Sequence, residues 1–143
     1  MGKHRDLMDT WFQRVWCEND PSFIHEACDI SMTTKGHREK DLLGPDDFEE
    51  FYDIICNQVD DISMKILRSV EDEDWISVMY EFKGKKKGTD IPVEMTGNSM
   101  LKIQNGKIMQ AFEHVDFIKY FGCLGHMPKN ALEHCLCGHE VHA

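Results

Sequence analysis

Lys107-Ile108-Met109-Gln110-Ala111-Phe112-Glu113-His114-Val115-Asp116 alternates with a period of two, and one carboxylate breaks the pattern. Side chains of a strand point alternately to two faces, so Met109, Ala111, Glu113 and Val115 share one side and Gln110, Phe112, His114 and Asp116 the other. The preceding stretch, Val93 to Ile103, has mostly apolar or small residues at odd positions and polar ones at even positions, as in a sheet with one covered face. Glu113 therefore falls where an inward-facing apolar residue belongs. Gln104-Asn105-Gly106-Lys107 joins the two strands as an antiparallel hairpin. With Asn105 and Gly106 central, residues whose numbers sum to 211 lie opposite each other, which sets odd against even on one face. Either the turn lies elsewhere or one strand carries a bulge.

Outward from this hairpin the alternation continues through Ile62, Met64 and Ile66 and then Ile76, Val78, Tyr80 and Phe82, parted by the acidic turn Glu71-Asp72-Glu73-Asp74. The N-terminal half has helical spacing instead. Met8, Trp11, Phe12 and Val15 form a stripe across residues 3 to 18, and Asn19-Asp20-Pro21 ends that helix and opens a second over about 22 to 28, capped by Asp20. Residues 30 to 34 make a short strand before the polar loop Gly36-His37-Arg38-Glu39-Lys40. Gly44-Pro45-Asp46-Asp47 opens a third helix with Phe48, Phe51, Tyr52, Ile55 and Val59 on one face. Asp116 caps a short final helix through residue 121. Helices followed by antiparallel strands predict an α+β fold, with helices on one face of a curved sheet.

At 143 residues the chain is one domain, and a formal net charge of −10 argues against nucleic acid, which needs a basic footprint. The basic run Lys83 to Gly88 reads as a solvated hairpin tip. No segment is long and apolar enough for a membrane span or a secretory signal, so a cytoplasmic protein is expected, with its six cysteines as free thiols. Residues 122–143 form a tail with Cys123, His126, His134, Cys135, Cys137, His139 and His142 as donors for a thiophilic metal. Without a Cys-x-x-Cys pair, no metal or other cofactor is expected.

Phe12-Gln13-Arg14-Val15-Trp16 with Asn19-Asp20, Leu43-Gly44-Pro45-Asp46-Asp47-Phe48, Asp74-Trp75-Ile76-Ser77-Val78-Met79-Tyr80 through Gly84, Asn105-Gly106-Lys107-Ile108 and Asp116-Phe117-Ile118 follow one another in order. In that order and spacing the chain resembles the SnoaL-like polyketide cyclase branch of the nuclear transport factor 2-like superfamily, over roughly residues 5 to 121. The resemblance implies a domain over 1–121, a cone-shaped, mainly antiparallel sheet wrapped on three N-terminal helices. It also implies an apolar pocket at the open end. Enzymes of that superfamily commonly place a carboxylate on the pocket face of the last strand, and ungapped spacing from Gly106-Lys107-Ile108 brings that position to Glu113. An epoxide-hydrolase-like site would want an arginine and an aspartate on the strand of Tyr80 and Phe82, which carries neither there. A cyclase- or isomerase-like site often adds a histidine or acid near Ser99.

A carboxylate in an apolar pocket has its charged form disfavoured, so its pKa rises toward neutrality and it can exchange a proton there. Glu113 is expected to act as general base or acid on a carbonyl-bearing, apolar small molecule, with the hydroxyl of Tyr80 or Ser99 stabilising an enolate. Phe12, Trp16, Tyr52, Met95, Ala111 and Val115 are expected to line the cavity. The alternative is a non-catalytic ligand-binding or dimerisation domain, with Glu113 paired or facing solvent. A homodimer is expected through the outer sheet face, where Glu81, Thr96, Asn98, Met100, Phe112 and His114 mix apolar and polar groups.

Overall fold

The structure, a computed structural model, describes residues 2–141, which leaves His142 of the expected tail donors outside the described residues. Helix α1 spans Lys3–Trp11 and runs on into a wider, π-wound turn over Phe12–Cys17. The expected helix over 3 to 18 thus changes winding halfway. The looser turn carries Phe12, Val15 and Trp16 all to the buried side, and inserts of this kind recur at functional sites. Helix α2 (Ser22–Ala27) starts beside Asp20, whose carboxylate accepts the Ser22 N–H. It leads without a loop into strand β1 (Cys28–Lys35).

A two-residue strand β2 (Leu42–Leu43), not expected from the sequence, precedes α3 (Gly44–Cys56). Val59, placed by its spacing on the third helix, instead opens the long strand β3 (Val59–Asp72). Strands β4 (Trp75–Lys86), β5 (Pro92–Gln104) and β6 (Lys107–Val115) complete a six-stranded sheet in the order β2-β1-β6-β5-β4-β3. All neighbours are antiparallel except β1 and β6, which run parallel. Helix α4 (Phe117–Leu124) is capped by Asp116, whose side chain accepts from Lys119 N–H. It continues past the expected end at 121, with Gly122 and Leu124 buried. A short α5 (Ala131–Leu136) lies in the tail. The architecture is the expected α+β cone, with the helices on the inner face of the curved sheet.

The register of the last hairpin resolves the parity conflict in the sequence. Gln104 faces Lys107 and Ile103 faces Ile108, as the Asn105-Gly106 turn requires, but Lys102 then faces Gln110. Met109 is the extra residue of a bulge. Beyond it opposite numbers sum to 212 and like parities meet, so Ser99 pairs with Glu113 and Leu101 with Ala111 on the inner face. The expectation that Met109 shares that face is therefore corrected: the bulge hands its place to Ile108, 1% exposed.

Candidate functional site

Glu113 is 8% exposed on the inner face of β6, and its neighbour across the ladder, Ser99, is 3% exposed. The Ser99 hydroxyl lies 2.5 Å from both carboxyl oxygens and donates its single proton to them. Tyr80 on β4 lies against the backbone of Gly97, the residue opposite it on β5. A side chain at 97 would strike the phenol, since its Cβ would stand within 3.0 Å of three Tyr80 ring and hydroxyl atoms. Glycine there creates the seat.

Nothing in the residue pattern pointed to the next residue. His37, in the loop expected to be merely polar, turns into the cone with its side chain only 8% exposed and its Nε2 3.7 Å from Glu113 Oε1. Its ring stacks on Phe51, with centroids 4.4 Å apart and planes 7° from parallel. Gly36 makes the inward turn possible. Its φ of +102° lies in the left-handed region, and a Cβ there would lie 1.9 Å from the Glu113 carbonyl oxygen. A histidine thus stands beside the Ser99–Glu113 pair, brought there by the loop after β1.

An approach of 3.7 Å is an ion-pair distance, yet the surroundings oppose charge on both partners. Burial pushes the Glu113 carboxyl up to about 8, against a smaller lowering by the Ser99 hydrogen bond. Burial likewise pushes the His37 imidazole down to about 3. At neutral pH the pair is mostly neutral histidine and neutral acid. The Tyr80 phenol is pushed up by burial and then by the nearby carboxyl, so it remains a hydrogen-bond donor.

A cavity of about 40 Å³ opens against these groups, walled by Met8, Trp11, Phe12, Trp16, Thr34 and Ala111 among others. The Thr34 hydroxyl and His37 Nδ1 are buried with no protein partner. Met95 and Val115 wall a second cavity of about 30 Å³. Of the expected lining residues, Tyr52 lies outside both walls: it packs against Trp16 and its hydroxyl donates to Asn19. Among the described residues no group of three or more His, Cys, Asp or Glu comes together to hold a metal. No helix among them is long and apolar enough to cross a membrane.

The sequence model described as SnoaL-like polyketide cyclase matches residues 6–121. No curated protein matches the chain. Among solved structures, IdmH from Streptomyces antibioticus, a proposed polyketide cyclase, superimposes with a TM-score of 0.75 at 14% identity, over 87% of this chain and 99% of that one. TsrD from Streptomyces laurentii gives 0.74 at 15% identity, over 87% and 98%. A protein of ketosteroid isomerase-like fold from Catenulispora acidiphila, solved with trimethylamine, gives 0.73 at 12%, over 83% and 92%. At such identities these likenesses show the fold.

Proposed function

The chain belongs to the SnoaL-like polyketide cyclase family, and from that premise we propose that its cone binds an apolar, carbonyl-bearing small molecule and moves a proton on it through Glu113. The observation that carries this reading is a carboxyl group buried among apolar walls, held by Ser99 and turned to a cavity. Its ionised form takes a proton from the carbon next to the carbonyl, the C–H bond breaks, and the electron pair moves to oxygen as an enolate. Ser99 is committed to Glu113, which leaves the Tyr80 hydroxyl to donate to that oxygen. Reprotonation from Glu113 closes the cycle with no net change in the acid. His37, with its Nε2 3.7 Å from Glu113 Oε1, stays neutral throughout because burial opposes its protonation.

The test is exchange of the α-protons of a cyclic ketone, 2-tetralone, in D₂O. Catalysed exchange should rise with pH toward about 8, where Glu113 ionises, and Glu113→Gln should lose on the order of 10²- to 10⁴-fold. Equal exchange by both proteins would refute the proposal. One observation favours the alternative of a non-catalytic binding or dimerisation domain: about 40 Å³ beside Glu113 is small for a ring system. Retained binding with no catalysed exchange would support it. The outer sheet face, with Met100 opposite Phe112 and Asn98 opposite His114, supports a homodimer. Six free cysteines support a reducing, cytoplasmic setting.

A further inference from the structure

The two cavities share four wall residues, Trp16, His37, Met64 and Tyr80. One lies against Leu101, Ser99 and Ala111, the other against Met95, Val115 and Phe82. Leu101 and Met95 stand six residues apart in one inner-face row on β5, about 20 Å at the usual rise of a strand. The cavities are therefore strung along the sheet axis. Glu113 sits between Ala111, which walls the first, and Val115, which walls the second, so the carboxyl stands near the seam.

What fills the seam differs in how it is held. Trp16 is carried on the π-wound turn, Met64 on β3 and Tyr80 on β4, seated on Gly97. His37 alone comes from a loop, between the ends of β1 and β2. Its ring is held by stacking on Phe51 and by the approach to Glu113, while its Nδ1 is buried without a protein partner. An unbonded ring nitrogen opposes the seated position, and water would satisfy it once the ring swung out. The left-handed φ of Gly36 provides a flexible point directly before the ring.

We propose that His37 is a removable partition: the two cavities are halves of one chamber, joined when the ring withdraws to admit an apolar ligand long enough to span both. The position of Glu113 near the seam then places the ligand's carbonyl near the middle of its length, a statement that rests on the proton-transfer reading above. The partition itself does not. It makes His37 a residue that selects ligands by length.

The experiment titrates tryptophan fluorescence with two ketones, cyclohexanone (one ring) and anthrone (three fused rings with the carbonyl in the middle one). His37→Ala should bind anthrone at least tenfold more tightly than the wild type while cyclohexanone gains less than threefold. His37→Phe, which keeps a ring in the seam, should bind anthrone no more tightly than the wild type. Equal anthrone affinity in all three proteins, or equal gains for both ketones, would overturn the proposal. Should His37→Ala fail to fold, the wild type suffices: its anthrone association rate should level off with concentration because opening limits it, and a linear rise throughout overturns the idea. The Glu113 reading is tested separately by the pH dependence of stability described below, in which no ketone is present.

Discussion

Replacing Glu113 with glutamine keeps the shape of the side chain and a hydrogen bond with Ser99 but removes the titration, so the variant isolates what one buried carboxyl does to folding. Burial pushes that group from an ordinary 4.5 up to about 8 in the folded chain. An acid whose folded-state pKa is raised favours folding fully below the unfolded value, and that contribution is lost as pH rises through the folded one. Linkage between 4.5 and about 8 makes the wild type lose about 3 kcal/mol relative to the variant between pH 4 and pH 7, and about 5 by pH 9. That is a large part of the 5 to 15 kcal/mol that usually holds a domain together. The assay is urea unfolding followed by tryptophan fluorescence, from pH 4 to 9, on both proteins. Subtracting one curve from the other cancels the remaining acidic side chains, which titrate alike in the two. A difference that stays flat would mean a carboxyl with an ordinary pKa, and a wild type that gains on the variant as pH rises a paired, ionised one; either would remove the physical basis of proton transfer at Glu113.

The mirror image is expected for His37, whose imidazole burial pushes down to about 3. Its contribution is present above the ordinary histidine value and is lost as pH falls, so in the same urea assay His37→Phe should hold its stability better than the wild type below pH 6. Gly36→Ala should lose about 3 kcal/mol or more, because strain at φ +102° adds to a Cβ placed 1.9 Å from the Glu113 carbonyl oxygen; a melting temperature near that of the wild type would contradict this. Removing residues 127–143 should leave the melting temperature nearly unchanged, whereas cutting after Phe121 discards the buried Leu124 and should cost about 3 kcal/mol. Light scattering at micromolar concentration should give twice the chain mass, and lysines at Met100 and Phe112 together should halve it. A monomeric wild type would defeat the dimer proposal.

Why Glu113 was legible in the sequence and His37 was not comes down to the range of the interactions that fix them. The facing of Glu113 follows from local alternation, and the parity conflict at the Asn105-Gly106 turn pointed to the bulge that Met109 supplies. Counting alone could not say which strand carried it. The third helix and the Asp116 cap are likewise local features, whereas Val59 continued the helical spacing by coincidence and was claimed by a fourteen-residue strand. His37 sits among charged neighbours with no periodicity, and its burial depends on partners far along the chain: the parallel pairing of β1 with β6 and the ring of Phe51 on α3. The one sequence signal available was a glycine directly before a histidine, just after a strand that ends in Thr33-Thr34-Lys35, and that signal alone does not distinguish a solvated turn from an inward one. What decides it is the contact of Gly36 with the backbone of Glu113 itself, so the missed residue is positioned by the one the sequence did reveal.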